Sequence, residues 1–153
     1  MFIDLDMNLK KENIIFYSID DDSLKKIPIY QGGVSAGFPS PADDYLDLDL
    51  NLHKHLIKHP AATFFVIAKG NSMEDAGISD DDLLVVDKSL DVTHNDIVIA
   101  IVSGEFVVKR YLSINNEIHL RAESKNQNYP TIVITQEMDF EVWGIVTYTI
   151  HKN

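Results

Sequence analysis

Cysteine is missing from this chain of 153 residues. Its absence excludes disulfide bonds, catalytic thiolates and thiolate metal sites. A chain without cysteine suits a reducing compartment. We therefore expect a cytoplasmic protein whose chemistry, if it has any, uses other side chains.

Long hydrophobic runs are missing as well. The longest strictly apolar stretch covers only residues 97–102, far short of the ~20 residues that a membrane-spanning helix needs. The first 17 residues carry acids inside their apolar part and lack a basic start, so they do not form a secretory signal. We expect no membrane association.

Positive charge is scarce. The chain has 13 Lys and Arg against 24 Asp and Glu, a formal net charge of -11. Residues 1–36 hold six acids and four bases (6 − 4, net -2), and the remainder holds 18 acids and nine bases (18 − 9, net -9). Binding to a phosphate backbone needs clustered Lys and Arg. We therefore expect no direct sequence-specific DNA binding, and any action near DNA to pass through another protein.

The remaining pattern is that of a mainly β protein. Residues 45–59 first alternate and then suit a short helix that Pro60 ends. Turn pairs at Ser103-Gly104 and Asn115-Asn116 predict two hairpins. Short strands separated by turns predict a β-rich fold with a half-closed barrel or sandwich core. The predicted strands are residues 63–68, 83–87, 96–102, 105–112, 117–122, 131–135 and 141–150.

Residues 35–45, SAGFPSPADDY, look like a linker. A small-residue pair, Ala36-Gly37, precedes two prolines, Pro39 and Pro41. The 36 residues that end at Ala36 are too few for a helix-turn-helix domain. We therefore predict an arm with one or two short strands at most. We therefore divide the chain into a flexible arm, 1–36, and a β domain, 37–153.

The segment KGNSMEDAGI, residues 69–78, directly follows a predicted strand. Gly70 allows a tight turn, which places Ser72 at the strand end among backbone N–H groups that can converge on one point. Such a constellation can build an oxyanion hole beside a nucleophile. Gly-Asn-Ser is also ordinary turn chemistry, so a plain turn remains the alternative.

A nucleophilic serine needs a base, and the sequence offers histidines or a buried lysine. Lys109 lies within the apolar strand FVVKRYL, on the face of Val107 and Tyr111. Burial disfavours the ammonium and lowers the pKa of lysine, which lets the neutral amine accept a proton. The alternative is a lysine that extends to solvent at a sheet edge. The candidate histidines are His53, His55, His59, His94, His119 and His151.

Two further clusters have ordinary interpretations. His55 and His59 are one helical turn apart and could share a metal, but no third ligand accompanies them, so we favour a solvated helix face and predict no metal site. The acidic run from Asp80 through Asp81 to Asp82 is interpreted as a solvated loop.

Five segments in a fixed order resemble the S24 family of self-cleaving serine peptidases, the LexA/UmuD type. They are SAGFPSPADDY, GNSMEDAGI, DLLVVDKS, THNDIVIAIV and GEFVVKRYL, and the similarity extends from about residue 35 to about residue 148. The phrases GFPSPADDY and LIKHPAATFFV are similar to the UmuD-like branch. The resemblance implies the β-rich fold of that family's C-terminal domains.

The resemblance also implies residue roles. Ser72 corresponds to the nucleophile, Lys109 to the general base, and the Ala36–Gly37 bond to the site of self-cleavage. Alanine replaces the cysteine found there in the best-known UmuD-like protein, and both side chains are small. No metal or cofactor is implied. The residues that correspond to the oxyanion-hole turn are Gly70, Asn71 and Met73.

Partners follow from the same resemblance. It implies a homodimer, stimulation of cleavage by the RecA filament on single-stranded DNA, and action of the processed form with a UmuC-type Y-family polymerase in SOS translesion synthesis. A self-cleaving transcriptional regulator of the LexA or phage-repressor kind is the main alternative. A leader-peptide hydrolase and a purely structural β domain are two others.

Overall fold

The computed structural model describes the strand residues 16–17, 27–30 and 46–50, Ala36, and residues 51–125 and 128–153. These residues contain ten strands, one short α-helix and two 3-10 turns. In chain order they are β1 (Phe16–Tyr17), β2 (Ile27–Tyr30), β3 (Leu46–Leu50), α1 (Leu52–Leu56), a 3-10 turn (Pro60–Ala62), β4 (Thr63–Ile67), a 3-10 turn (Glu74–Ala76), β5 (Leu83–Asp87), β6 (Ile97–Val102), β7 (Glu105–Ile114), β8 (Glu117–Arg121), β9 (Ile132–Val133) and β10 (Phe140–Ile150).

Eight of the strands form one antiparallel sheet in the order β1-β4-β5-β10-β6-β7-β8-β9. The chain divides into two compact units, one of Met1–Ile19 with His59–Asn153 and the other Asp20–Lys58. The large sheet belongs to the first unit. The prediction of a mainly β fold is confirmed.

Side chains pack on both faces of the large sheet, because successive residues of a strand point to opposite sides. One core cluster contains Val66, Leu84, Val86 and Ile99, with Phe106 and Val108 packed against it. The other contains Val98, Ala100, Leu120 and Ile145, with Val107 and Tyr111 packed against it. Val107 and Tyr111 therefore share one face, as predicted, and Phe106 and Val108 lie on the opposite face.

Two tight turns build the β6-β7-β8 meander. Ser103 and Gly104 have φ values of 49° and 81°, and Asn115 and Asn116 have 49° and 65°. Positive φ at both central residues gives the turn whose twist matches the flanking strands. Both predicted hairpins are therefore confirmed, and β7 continues two residues beyond its predicted end to Ile114.

Strand β10 occupies the middle of the sheet, between β5 and β6. Its register shifts between Val142 and Gly144 on the β6 side. A Cβ at Gly144 would lie 2.6 Å from Cγ1 of Val86 and 3.3 Å from the backbone oxygen of Asp87. Glycine therefore fits this bulge, because the side chain of Val86 already occupies the space that a Cβ would need.

The unit Asp20–Lys58 contains a two-stranded antiparallel sheet in which β2 pairs with β3 from Ile27↔Leu50 to Tyr30↔Leu46. Helix α1 follows, and Oδ1 of Asn51 caps it by accepting the N–H of Lys54 at 3.0 Å. Within the described residues, every helix is too short or too polar to cross a membrane. The predicted division after Ala36 falls in the connection from β2 to β3 and stays a prediction about a scissile bond.

Candidate active site

The loop after β4 turns sharply at Gly70. Its φ of +82° lies in the left-handed region that glycine tolerates. The N–H of Gly70 donates a hydrogen bond of 2.7 Å to Oδ1 of Asp80. Gly70 therefore supports the turn, and its N–H is already used by Asp80.

Met73 anchors the same loop in the core. Its side chain is 2% exposed. Its carbonyl accepts the N–H groups of Ala76 at 3.0 Å and Ile78 at 3.1 Å, which closes the 3-10 turn. Ser72 directly precedes this anchor and is half-buried. The buried neighbour therefore restrains the position of the Ser72 backbone.

Strand β7 supplies the second predicted residue. Lys109 pairs with Val98 of β6 in the interior of the sheet. Its Nζ lies 2.8 Å from Oγ of Ser72, in hydrogen-bonding contact across 37 residues of sequence. The structure thus brings together the two side chains that the sequence singled out.

The surroundings of Lys109 favour a neutral amine. Burial lowers the pKa of Lys109 below the ordinary lysine value, because an ammonium loses hydration in the protein interior. A neutral amine in contact with a hydroxyl can accept its proton, which is the chemistry that a serine nucleophile requires.

The histidines of the large-sheet unit make their hydrogen bonds elsewhere. None of these bonds involves Ser72, so among the described residues of this unit the base in contact with Ser72 is Lys109. The observed pairs are His59 with Asp87 at 2.6 Å, His94 with the Ser113 backbone at 3.1 Å, His119 with Glu117 at 3.1 Å, and His151 with Asp82 at 2.6 Å.

The backbone N–H groups of Asn71, Ser72 and Met73 are the candidate oxyanion donors next to the nucleophile. Among the described residues, no backbone carbonyl accepts a hydrogen bond from the N–H groups of Asn71, Ser72 or Met73. Donors of this kind stabilise a tetrahedral intermediate when they point at its oxygen. The predicted participation of Asn71 and Met73 stays a prediction.

The predicted cleavage segment is described at one residue only. Ala36 forms an exposed bend. Gly37, the residue expected on the other side of the scissile bond, lies outside the described residues. The assignment of Ala36–Gly37 therefore stays a prediction from sequence.

The interpretation of the acidic run as a solvated loop is wrong for Asp82. Asp80 and Asp81 are exposed, but Asp82 is only 3% exposed. Its carboxylate accepts the N–H of Ser79 at 2.7 Å and pairs with Nδ1 of His151 at 2.6 Å. The cause is tertiary, since His151 lies 69 residues away in sequence. Across the described residues, no group of three or more His, Asp and Glu side chains could hold a metal ion.

Glu123 is a further residue of the site that no sequence pattern indicated. This residue follows β8, and its N–H donates to the carbonyl of Ser72 at 2.8 Å. Its carboxylate accepts two hydrogen bonds from Arg110, the residue next to Lys109. The available signal was Arg110, a cation in an apolar strand, because a partly buried cation needs a partner.

The comparison with known families matches residues 28–147 to the model described as Peptidase S24-like. The chain belongs to the S24 peptidase family. Protein MucA of Escherichia coli is 41% identical over 137 residues, which cover 89% of this chain and 92% of MucA. Protein SamA of Salmonella typhimurium is 44% identical over 125 residues, which cover 82% of this chain and 85% of SamA.

The LexA repressor of Proteus mirabilis is more distant. It is 35% identical over 121 residues, which cover 79% of this chain but 59% of the repressor. The similarity to MucA and SamA over most of both chains confirms the predicted UmuD-like character, and with it a role in SOS mutagenesis. The S24 family to which the chain belongs is a family of serine peptidases.

Proposed function

We propose that this S24 protein cleaves its own chain between Ala36 and Gly37, with Ser72 as nucleophile and Lys109 as general base. The observation that carries the proposal is the 2.8 Å contact between Nζ of Lys109 and Oγ of Ser72, at a lysine whose pKa burial lowers. A serine in contact with a desolvated amine meets the requirement for an activated nucleophile.

The first step forms an acyl-serine. Lys109 accepts the hydroxyl proton of Ser72 while Oγ attacks the carbonyl carbon of Ala36. Backbone N–H groups beside Ser72 stabilise the tetrahedral oxyanion. The bond to the nitrogen of Gly37 then breaks, and the ammonium of Lys109 returns the proton to the leaving amine.

The second step releases the arm. Lys109, neutral again, accepts a proton from a water molecule whose oxygen attacks the ester of Ala36 with Ser72. The ester bond breaks, and the proton returns to Oγ. The products are residues 1–36, with a free carboxylate at Ala36, and residues 37–153, with a free amine at Gly37.

The biological role proposed for the processed form follows the UmuD-like relatives. It acts as a homodimer in the cytoplasm together with a UmuC-type Y-family polymerase in translesion synthesis. The RecA filament stimulates cleavage by binding preferentially the state in which the cleavage segment is docked, a population shift that adds no chemistry.

A self-cleaving repressor is the second candidate, and the 35% identity to a LexA repressor is the observation in its favour. The net charge of -11 opposes direct contact with DNA. Co-purification with a Y-family polymerase supports the first role, whereas a salt-sensitive shift of operator DNA in a gel supports the second.

The dyad is tested with purified protein at alkaline pH. We expect the wild-type chain to split into two fragments over time, while Ser72→Ala and Lys109→Ala stay intact. Ser113→Ala and Lys125→Ala are matched controls, since both residues are exposed and lie outside the contact of Ser72 with Lys109. We expect both controls to cleave at the wild-type rate. An intact wild-type chain, or cleavage that survives in both dyad variants, contradicts the proposal.

A further inference from the structure

We propose that Arg110 and Glu123 form one positioning unit, the Arg110–Glu123 pair, which holds the Ser72 loop within reach of Lys109. The inference rests on the function proposed above and adds to it. Neither residue contacts the reacting atoms. The pair acts through the backbone of the loop that carries the nucleophile.

The backbone of Glu123 contacts this loop on both sides of Met73. Its N–H donates to the carbonyl of Ser72 at 2.8 Å, and its carbonyl accepts the N–H of Asp75, also at 2.8 Å. Two opposed hydrogen bonds from a single residue fix both the distance and the orientation of the loop. A shift of Glu123 therefore moves Ser72 directly.

The side chain of Glu123 is held just as closely. Nε of Arg110 donates to Oε1 at 2.7 Å, and Nη2 donates to Oε2 at 3.0 Å. This bidentate geometry adds directional specificity to a strong, charge-assisted contact. The bond from Arg110 holds the pKa of the Glu123 carboxyl below its usual value. Both side chains are about four-fifths buried, with relative exposures of 23% and 20%.

Arg110 is itself fixed by β7 and by the turn before β6. Its Nη1 donates to the carbonyl of Asn95 at 2.7 Å, and its backbone pairs with Ile97 and Arg121 in the sheet. Lys109 is the preceding residue of the same strand. One short stretch of β7 thus places the base directly and the nucleophile indirectly, through Glu123.

Precise placement matters because catalysis depends on the contact of Oγ with Nζ. A misplacement of ~1 Å lowers a rate by as much as ~100-fold. We therefore expect loss of the Arg110–Glu123 pair to lower the cleavage rate without removing either catalytic group. The sequence alone does not indicate this dependence of the cleavage rate on Glu123, because Glu123 is far from Ser72 along the chain.

The experiment measures self-cleavage of the full chain against pH in Glu123→Gln, Arg110→Ala and the double variant. Arg121→Ala is the matched control. Arg121 is half-exposed, and its Nη2 lies 3.7 Å from Oε1 of Glu123, which is longer than either bond from Arg110. We expect the plateau rate to fall at least tenfold in both single variants and about equally in the double variant, as for residues that act as one unit. We expect Arg121→Ala to stay within about twofold of wild type.

Two further readouts separate positioning from a loss of stability or of the base. The pH midpoint of the rate is expected to stay at the wild-type value, because burial sets the pKa of Lys109. Hydrogen exchange at the amide of Asp75 is expected to speed up in Glu123→Gln, while the amides of β5 keep their protection.

A plateau rate within twofold of wild type in Glu123→Gln overturns the inference and leaves the dyad intact. A rate loss matched by global loss of amide protection also overturns it. A wild-type chain that fails to cleave removes the proposed function and the inference with it. Faster exchange at Asp75 together with the lower plateau rate supports it.

Discussion

The large antiparallel sheet and the two-stranded sheet of β2 and β3 differ in how they are held. In the large sheet, strands distant in sequence pair side by side, and core clusters cover both faces. The small sheet joins neighbouring segments through a few register pairs. An isolated two-stranded hairpin is only marginally stable in water.

This difference separates the proposed enzyme from its proposed substrate. Ser72 and Lys109 belong to the large-sheet unit, where packing fixes their contact in advance. Ala36 lies in the connection from β2 to β3. Catalytic groups benefit from a rigid frame, whereas a peptide that must be cut benefits from a segment whose opening costs little.

The largest effect is expected when the base is removed from the large-sheet unit. Lys109→Met keeps the length of the side chain but has no amine, so we expect self-cleavage to fall at least about a thousandfold. We also expect the free energy of unfolding at neutral pH to stay the same or rise, since the desolvation cost of a buried ammonium disappears. Fragment yield and urea denaturation measure the two effects. Lower stability together with residual cleavage would contradict the assignment.

The next effect is the pH dependence of the wild-type rate. Ammonium is inactive as a base, so we expect the rate to rise with pH, by up to about tenfold per unit, until pH passes the lowered pKa of Lys109. The pKa of this base is lower in the folded chain than in the unfolded chain. Its contribution to stability therefore also rises with pH up to the unfolded value. A rate that is flat from neutral to strongly alkaline pH would argue against Lys109.

A smaller effect on the cleavage rate is expected when the hairpin of β2 and β3 is cross-linked. Ile27 and Leu50 are register partners across β2 and β3, and a chain without cysteine gives a clean background for Ile27→Cys with Leu50→Cys. We expect the oxidised protein to cleave several-fold more slowly, because the closed hairpin restricts the segment around Ala36. The reduced double variant is the control. Equal oxidised and reduced rates would show that the hairpin need not open.

Removal of the arm has a consequence for the large sheet. Strand β1 pairs with β4 through Phe16↔Val66 and Tyr17↔Phe65, and it lies within the proposed leaving fragment. We therefore expect the amides of β4 to exchange several-fold faster after cleavage and release of the arm, while those of β6 remain unchanged. Unchanged exchange at β4 would mean that the fragment stays bound or that β1 gives little protection.

The smallest effect on the rate is expected from Asp87. Burial opposes its ionisation, but hydrogen bonds from Ser89 and His59 outweigh burial and place the pKa of the carboxyl below its usual value. The stabilising contribution is therefore present above the unfolded pKa and is lost as pH falls through the folded value. We expect Asp87→Asn to lower stability by about 1–3 kcal/mol at pH 7 and to change the cleavage plateau little. Full wild-type stability in the variant would contradict this role.

Local patterns in the sequence predicted much of the fold. Ser103-Gly104 and Asn115-Asn116 specify their turns by residue type, and the alternation in β7 placed Lys109 on the correct face. The insertion of β10 between β5 and β6 depends on pairing across distant segments. Such pairing leaves no local signal, and this explains why the meander was predicted and the sheet order was not.

The candidate site divides in the same way. Ser72 and Lys109 each carry a local signal, a turn at a strand end and a cation in an apolar strand. The role of Glu123 arises from backbone contacts with Ser72 and Asp75, and the burial of Asp82 arises from the return of His151. Both features depend on tertiary contacts, and no local sequence pattern at either position indicates them.

The measurement that tests the central claim most directly is the intact mass of the fragments formed by the purified wild-type chain at alkaline pH. The proposal predicts two masses, those of residues 1–36 ending at Ala36 and of residues 37–153 beginning at Gly37, and neither mass in Ser72→Ala. A cut at any other bond, or the same two fragments from Ser72→Ala, would contradict it.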